Sequence, residues 1–374
     1  MYDVAVIGLG GMGSSAAYHL ARRGSRVIGF DQFTPPHDRG STHGRTRLIR
    51  QAYFEHPNYV PLIKRAYELW NELSHEYGKP LFQQVGLLEA GPADGILIPG
   101  VRQSAAEHHL AIENLSPNEV RSRFPGIIVP EEMDVVFEPT AGVLDVESCV
   151  EAALTLAKNE GAVLRFNEAV TEWKRDGQGF VVTTKEGSYG ASRLIIAGGS
   201  WAGAILSSLQ ISLRVLRKTL HWFSTNDQRY AAASGFPAFL VETDHRYCYG
   251  FPVTDELGLK VAEHSGGDLV TDPSHVERRE LPSDRDGLNE FIEKWLPGVS
   301  QNQTAFATCL YTMSPDENFL VGEYSLEPGV YYIAGLSGHG FKFASVMGEV
   351  MADLALNGST QHPIEFLSPQ RFQQ

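Results

Sequence analysis

The sequence predicts an α/β fold with two domains, one built on a parallel sheet and the other rich in β-strands. At 374 residues, the chain exceeds the size at which a single hydrophobic core usually stops growing. A strand, a glycine-rich turn, a helix and a second strand follow one another at its start. Similar elements recur in two later blocks, and β-type patterns fill the segments between them. This spacing indicates one α/β domain that is interrupted twice by a second domain.

The opening unit has the pattern of a nucleotide-binding motif. The apolar strand 2–7 leads into the sequence GLGGMG at residues 8–13. A helix to Arg23, a strand over 26–30 and the acidic Asp31 follow. A glycine triplet alone is weak evidence, but here the strand, helix and acid stand in the expected order. The unit therefore predicts a Rossmann-like dinucleotide site.

Each glycine of this motif has a physical task. Gly8 permits the tight turn, Gly10 lets a pyrophosphate approach the backbone, and Gly13 lets the helix pack closely on the strand. The helix N-terminus offers free N–H groups and partial positive charge to the phosphates. Asp31 is placed to accept hydrogen bonds from the adenosine ribose.

The later elements are predicted from apolar spacing and turn residues. Asp145 is placed to cap a helix that Gly161 ends, and Asp176-Gly177 joins two strands as a hairpin. Residues 34–42 form a loop, and residues 81–144 mix short strands with Pro and Gly turns. Helices are expected over 60–77, 146–160, 288–295 and 341–356, and strands over 163–166, 170–174, 180–184, 194–197 and 330–334.

These elements divide the chain into five segments. We assign residues 1–80, 145–214 and 319–374 to the nucleotide-binding domain. Residues 81–144 and 215–318, where β-type patterns recur, form the sheet-rich domain that binds substrate.

Composition and charge exclude several kinds of partner. A net charge of −14 argues against nucleic acid or an anionic membrane. The longest uncharged stretch, 194–213, contains glycines and polar residues and predicts strand, turn and helix, so no membrane span is expected. No basic, apolar segment precedes the first strand, and we expect a cytoplasmic protein. The three cysteines have neither disulfide-framework nor zinc spacing, so no metal site is predicted.

Three groups of residues could carry chemistry. The basic cluster His43, Arg45, Arg47 and Arg50 could bind a carboxylate or phosphate, although a solvated loop with surface ion pairs would look the same. The second group, in two strand-like segments, consists of Tyr249, Lys260 and His264. A lysine on a strand is ordinarily a surface residue, and a tyrosine or histidine there ordinarily packs in the core. A lone cysteine such as Cys309 is usually a small buried apolar residue.

The third group is the glycine-rich segment GLSGHGFK at residues 335–342, which joins a strand to a helix. A plain turn would not need three glycines in six residues. The segment predicts a second point at which a helix N-terminus stabilises negative charge.

Taken together, these motifs resemble the monomeric sarcosine oxidase and N-methyltryptophan oxidase family of flavoenzymes. The resemblance runs nearly end to end and rests on GLGGMG, PPHDRGSTHGRTRLIR, YGFP followed by LGLK, CLYTMSPDE and GLSGHGFKFAS. The last two motifs are the most specific, and GLSGHGFKFAS is closer to N-methyltryptophan oxidase.

The resemblance implies a role for each matching residue. FAD would be bound covalently through a thioether from its 8α-methyl group to Cys309. Arg50 and Lys342 would hold the substrate carboxylate, with Arg47 close to the flavin ring, and Lys260 would activate oxygen. Substrate-cavity residues would be Tyr249, His264 and Tyr311, and further cofactor contacts would come from His43, Thr46, Gly338, Gly340 and Lys342.

One departure is visible. Arg45 stands where the family usually has Asp in an HGDTR motif, which changes the local charge near the flavin.

The hypothesis is therefore an FAD-dependent oxidase of secondary amines such as N-methyl amino acids, acting as a monomer with a small-molecule amine and oxygen as its partners. Products would be the demethylated amino acid, formaldehyde and hydrogen peroxide. Alternatives are a flavin dehydrogenase with a protein electron acceptor and a catalytically silent nucleotide-binding protein. Sarcosine, N-methyltryptophan, pipecolate and related cyclic amines all remain open as substrates.

Overall fold

The computed structural model describes residues 1–205, 211–244 and 246–372. Its named strands form three sheets, of eight, nine and three strands. Within these ranges, no helix combines the length and the apolar character that crossing a membrane requires.

The strands and α-helices of the described residues have the following bounds. In chain order, the strands are β1 (Tyr2–Ile7), β2 (Val27–Phe30), β3 (Thr46–Ile49), β4 (Phe82–Gln84), β5 (Leu87–Gly91), β6 (Glu113–Leu115), β7 (Asp134–Glu138), β8 (Gly142–Asp145), β9 (Val163–Arg165), β10 (Val170–Asp176), β11 (Gly179–Thr184), β12 (Ser188–Ile196), β13 (Arg214–Phe223), β14 (Ala238–Glu242), β15 (Tyr247–Phe251), β16 (Leu259–Glu263), β17 (Asp268–Val270), β18 (Gln303–Met313), β19 (Leu320–Glu323) and β20 (Val330–Ala334). The helices are α1 (Gly11–Arg22), α2 (Tyr59–Tyr77), α3 (Leu97–His108), α4 (Pro117–Arg123), α5 (Val146–Asn159), α6 (Ala202–Ile205), α7 (Asp286–Trp295) and α8 (Ala344–Asn357).

The eight-stranded sheet contains the nucleotide-binding unit. Its parallel centre has the order β20-β12-β1-β2-β9, and β10, β11 and β19 join it as antiparallel strands. Alternate residues of β1 enter different cores. Val4 and Val6 pack with the residues of α1, α2, α5 and α8, whereas Ala5 and Ile7 pack on the opposite face. The sheet is therefore covered on both sides, as a parallel sheet requires.

The nine-stranded sheet brings the later site residues together. Its order is β17-β13-β16-β15-β14-β5-β7-β6, with β18 paired along β13. The antiparallel register places Cys309 of β18 opposite Lys218 of β13, and Lys260 of β16 opposite Phe251 of β15. The three-stranded sheet has the order β3-β8-β4, and its strand β3 carries Thr46 and Arg47.

Most predicted elements are present with nearly the predicted bounds. Asp145 caps α5 by accepting a hydrogen bond from the Ser148 amide, and β10 and β11 form the predicted hairpin. The C-terminal helix begins with a 3₁₀ turn over Phe341–Phe343 before α8. The segment 206–210, part of the stretch predicted as turn and helix, lies outside the described residues.

Two helices were missing from the prediction for residues 81–144. α3 has Pro99 and Gly100 near its start, and these residues suppressed the helical signal. α4 was detectable, since Ser116 and Glu119 form a capping box with Pro117 at the first helical position. The strands of the nine-stranded sheet fall within the segments assigned to the sheet-rich domain, except that β13 begins at Arg214. The domain boundaries themselves stay a prediction.

The first testable prediction concerns the packing of α1 on β1. A Cβ atom on Gly13 would overlap the carbonyl oxygen of Gly8, which is backbone and cannot move aside. We expect Gly13→Ala to lower the thermal midpoint by about 2 to 3 °C, the effect of about 2 kcal/mol of overpacking in a chain of this length. Gly203→Ala is the control, because no described atom lies within 4 Å of its ideal Cβ position. A midpoint for Gly13→Ala equal to that of the control would contradict this packing argument.

Candidate active site

The glycine turn after β1 and the start of α1 line a cavity of about 910 Å³. Gly8, Gly10, Gly11 and Met12 line it. Gly8 has a φ of +91°, a conformation that favours glycine, and α1 begins without a side-chain cap or an acidic residue in its first turn. The helix N-terminus therefore presents backbone N–H groups and partial positive charge to the cavity. Gly13 does not line the cavity but permits the packing that creates the turn.

Asp31 also lines this cavity, at the end of β2. Its two carboxylate oxygens accept hydrogen bonds from the amides of Leu9 and Phe33, each at 2.9 Å. Each carboxylate oxygen can accept a further bond, so Asp31 remains able to bind ribose hydroxyls. The same bonds hold the glycine turn against the second strand.

A cysteine and an arginine also line the large cavity. Cys309 is buried, and its Sγ lies 3.5 Å from Nη2 of Arg47. Arg47 also donates to the carbonyl oxygens of Ser41 and Thr46, which fixes the guanidinium. Cys149 and Cys248, the other two cysteines, are buried elsewhere and line neither this cavity nor the one described next.

A smaller cavity of about 70 Å³ meets the large one at this point. Both are lined by Arg47, Cys309, Tyr311, Gly338 and Phe341. The smaller cavity combines an apolar and aromatic wall with charged groups on one side. Its remaining lining residues are Leu48, Arg50, Phe54, Glu55, Leu220, Leu240, Tyr249, Phe251, His264, His339 and Lys342.

Two buried cations line the smaller cavity. Arg50, 2 % exposed, donates to the carboxylate of Glu55 at 2.6 Å and to the carbonyl oxygen of Ala52 at 2.9 Å. Lys342, 7 % exposed, donates to the carbonyl oxygen of His339 at 2.8 Å. Burial, followed by the repulsion of Arg50, lowers the pKa of Lys342 to about 7.

The pKa values of two carboxylates near these cations shift in opposite directions. Burial raises the pKa of Glu55, but Arg50, His339 and Lys342 together outweigh burial and lower the pKa to about 2. Glu89 is fully buried on β5, and its Oε1 lies 3.9 Å from Nε of Arg50. Burial raises the pKa of Glu89 to about 8 despite Arg50, and neither of its oxygens has a hydrogen-bond partner among the described residues. Glu89 is consequently neutral at pH 7, while Glu55 is charged.

Lys260 lies beside these cavities without lining either one. Its Nζ donates to the carbonyl oxygens of Gly44 and Thr46 at 2.8 and 3.1 Å and to Oγ1 of Thr46 at 3.0 Å. It also lies within about 5 Å of the ring centres of Trp222 and Phe251. Burial, followed by Arg47, lowers the pKa of Lys260 well below its usual value, whereas the three acceptors favour the ammonium form.

The predicted cavity residues of the sheet-rich segment lie together. Tyr249, His264 and Tyr311 all line the smaller cavity, and Nδ1 of His264 lies 3.3 Å from the hydroxyl of Tyr311. Burial, followed by the charge of Lys218, lowers the pKa of His264 to about 3, so its ring is neutral at pH 7. Gly340 of the second glycine turn lines the large cavity.

His43 and Arg45 lie outside both cavity linings. His43 is buried with its Nε2 unpaired among the described residues, and burial, followed by Arg47, lowers its pKa to about 3. Arg45 points to the surface, where Nη1 donates to Asp255 at 2.7 Å. The charge that distinguishes this chain from the HGDTR motif is thus held in a partly exposed ion pair.

Several residues of the site were not identified from the sequence. Two of them could have been found from the local sequence: Glu55 follows Arg50 by five residues, and Glu89 interrupts the apolar run VGLLEAG. The sequence gives no sign of a role for Tyr53 or His339 beyond their position in or near a motif.

These residues fit a flavin dinucleotide. The large cavity joins a phosphate-binding turn and a ribose-binding acid to a buried cysteine next to Arg47. Its volume is at the upper end of the range for ligand sites, as an extended dinucleotide requires. Across the described ranges, no group of three or more His, Cys, Asp or Glu side chains could hold a metal ion.

Comparison with known proteins agrees with this geometry. Residues 3–354 match the family described as FAD dependent oxidoreductase. A monomeric sarcosine oxidase of Bacillus sp. (strain B-0618) is 38 % identical over 99 % of this chain and 96 % of its own length. An N-methyl-L-tryptophan oxidase of Salmonella dublin is also 38 % identical, over the full length of both chains.

Among solved structures, the open form of NikD is similar, with a TM-score of 0.86. It is 26 % identical over 98 % of this chain and 97 % of its own, and it is described as an unusual amino acid oxidase essential for nikkomycin biosynthesis. These matches confirm the predicted fold class and the predicted enzyme class, an FAD-dependent amine oxidoreductase. The chain belongs to the FAD dependent oxidoreductase family, alongside the monomeric sarcosine oxidases and the N-methyl-L-tryptophan oxidases.

Proposed function

We propose that this enzyme oxidises N-methyl amino acids with oxygen and carries its FAD covalently on Cys309. The amine, oxygen and water would give the demethylated amino acid, formaldehyde and hydrogen peroxide. The observation that carries the proposal is the pair of buried cations, Arg50 and Lys342, in a small aromatic cavity that meets the cofactor cavity at Cys309.

The charges of this cavity suit one carboxylate. Of the three cations in its lining, Arg47 would face the flavin ring; Arg50 and Lys342 supply up to two further positive charges, and Glu55 supplies one negative charge. Glu89 is neutral, and the charge of Glu138 nearby is met by the amides of Gln51 and Ala52. A substrate carboxylate would neutralise the positive charge of Arg50 and Lys342 that Glu55 leaves unmatched. Arg50 also retains N–H groups beyond those bound to Glu55 and Ala52, so it can bind the carboxylate without releasing either.

The same cations favour the reactive form of the amine. A positive charge lowers the pKa of a nearby amine, because it disfavours a second cation. Arg47, Arg50 and Lys342 would therefore favour the neutral amine, which has the lone pair that oxidation requires. With its carboxylate fixed, the substrate would lie in the cavity lined by Tyr249 and Tyr311, and its N-methyl group would be held next to the cofactor cavity.

FAD supplies the acceptor for the two electrons removed from the amine. The protein residues supply position and electrostatics. Arg47 would place positive charge beside the flavin ring, and the glycine turn with Gly338 and Gly340 would add the partial charge of a helix N-terminus. Water then hydrolyses the imine product and releases formaldehyde.

Lys260 is proposed to serve the oxygen half-reaction. Its ammonium group is desolvated and fixed by Gly44 and Thr46 in advance of the reaction. A preorganised positive charge stabilises the negative charge that develops when oxygen accepts electrons. Its position beside the cavities leaves the amine site free.

The function is tested by mixing the purified yellow enzyme with sarcosine, N-methyltryptophan and pipecolate under anaerobic conditions. At least one of them should bleach the flavin, and air should restore the colour with release of hydrogen peroxide. Sarcosine methyl ester is the matched control for sarcosine; without the carboxylate, bleaching should be at least about tenfold slower. No bleaching by any amine would indicate a silent nucleotide-binding protein, and bleaching without peroxide in air would indicate a dehydrogenase.

The covalent link is tested by Cys309→Ala. Acid precipitation should release the flavin into the supernatant, whereas the parent precipitate should stay yellow. Cys248→Ala is the matched control: Cys248 is equally buried but lies in the core of the nine-stranded sheet, so its precipitate should also stay yellow. A precipitate of Cys309→Ala that retains its flavin would rule out this attachment.

The oxygen role is tested by Lys260→Met. Flavin reoxidation should slow by about 10²- to 10³-fold, the effect of removing one preorganised charged donor, while reduction by the amine changes far less. Lys218→Met is the control, because Lys218 is also buried but donates to the carbonyl oxygens of Ser265 and Gly266. Stopped-flow absorbance separates the two half-reactions, and equal slowing of both would contradict the assignment.

A further inference from the structure

His339 has no role in the chemistry described so far, yet it lines the substrate cavity and is almost fully buried. Its ring packs among Phe319, Tyr53 and Tyr59, with the ring centre 4.7 Å from that of Phe319. Both ring nitrogens have partners. Nδ1 lies 2.6 Å from the hydroxyl of Tyr53, and Nε2 lies 3.0 Å from the carbonyl oxygen of Glu317. A buried polar ring held this firmly needs an explanation.

The partners determine the direction of each hydrogen bond. Burial lowers the pKa of His339 to about 4, so the ring carries one proton at pH 7. A carbonyl oxygen only accepts, so that proton is on Nε2 and is donated to Glu317. Nδ1 must then accept, and the Tyr53 hydroxyl donates its proton to it.

This direction matters for Lys342. The Tyr53 oxygen lies 3.4 Å from Nζ of Lys342, and its hydrogen points away toward His339. The oxygen therefore offers a lone pair to the lysine, as the carbonyl oxygen of His339 does at 2.8 Å. An acceptor stabilises the ammonium form, whereas a donor would favour the neutral amine.

Resting on the proposed function of Lys342 in binding the substrate carboxylate, we propose that His339 is a positioning residue. Its Nδ1 keeps the Tyr53 hydroxyl turned so that Lys342 remains an ammonium group aimed at the substrate. Without the ring acceptor, the Tyr53 proton would turn toward the carbonyl oxygen of residue 339, 3.3 Å away. That oxygen is the other acceptor of Lys342, so the hydroxyl would then compete with the lysine.

The pH dependence gives the proposal a specific signature. Lys342 has a pKa of about 7 without ligand, so its cation is present below that pH and is lost above it. If removing the acceptor lowers this pKa by about one unit, a carboxylate binds about twofold more weakly at pH 6 and about tenfold more weakly at pH 8. A loss of packing alone would weaken binding equally at both pH values.

The other titratable groups around Lys342 do not produce this pattern. The pKa values of Glu55 and His339 lie near 2 and 4, and that of Tyr53 lies well above 10. Glu89, behind Arg50, titrates near pH 8, but parent and variants share that ionisation. The remaining neighbours are Arg47, Arg50, Tyr59 and His264, and they titrate outside the range from pH 6 to 8.

The experiment titrates the holoenzyme with propionate, a carboxylate without an amine, and follows the perturbation of the flavin absorbance from pH 6 to 8. His339→Leu removes both ring nitrogens, and His339→Asn keeps an oxygen acceptor at the Nδ1 position. We expect the Leu variant to show the pH-dependent loss and the Asn variant to stay within about threefold of the parent at pH 8. Tyr53→Phe, which keeps the ring packing, removes the Tyr53 acceptor of Lys342 and should also bind propionate more weakly at pH 8 than at pH 6, relative to the parent.

The double variant of Tyr53→Phe and His339→Leu should be no weaker than Tyr53→Phe alone, because both changes break the same chain of bonds. Two results would overturn the proposal, provided that the parent binds propionate. One is an equal propionate affinity of the parent and the His339→Leu variant at pH 8. The other is a loss of affinity in the double variant that equals the sum of the two single losses. A parent that binds no propionate would overturn the proposed carboxylate site and, with it, this inference.

Discussion

The site depends on keeping positive charge in a space from which water is excluded. Arg50, Lys260 and Lys342 are buried and Arg47 is partly buried around one junction, where burial alone would neutralise the lysines. The protein compensates with fixed acceptors, which are mostly backbone carbonyl oxygens, and with one charged partner, Glu55. Because these acceptors are in place before any ligand arrives, the cations need little reorganisation when negative charge develops.

The two large sheets divide this task. The eight-stranded sheet and α1 provide the turn for the phosphates, while β16 and β18 of the nine-stranded sheet carry Lys260 and Cys309. The segment between β3 and α2 supplies Arg50, Tyr53 and Glu55. The active site thus lies where segments distant in the sequence meet, and small shifts between them would change the distances on which the proposed chemistry depends.

Local patterns were enough to predict the parallel sheet, the glycine turn and Asp31, because strand alternation, helix spacing and turn chemistry are short-range properties. Residue spacing could not predict that Arg50 and Lys342 share a cavity, since their approach depends on the packing of α2 and β3 against the C-terminal segment. Only the family resemblance predicted that Arg50 and Lys342 act together on the substrate carboxylate. Neither residue spacing nor the family resemblance predicted the roles of Glu89 and His339, because their environment is created by burial and by partners far along the chain.

The central claim is that a substrate carboxylate is held by Arg50 and Lys342 next to a flavin attached to Cys309. A crystal structure of the holoenzyme with bound propionate tests it most directly. The account predicts both carboxylate oxygens within about 3 Å of these two side chains and continuous density from Sγ of Cys309 to the flavin. A carboxylate bound elsewhere in the cavity, with Arg50 and Lys342 paired only to protein groups, would contradict it.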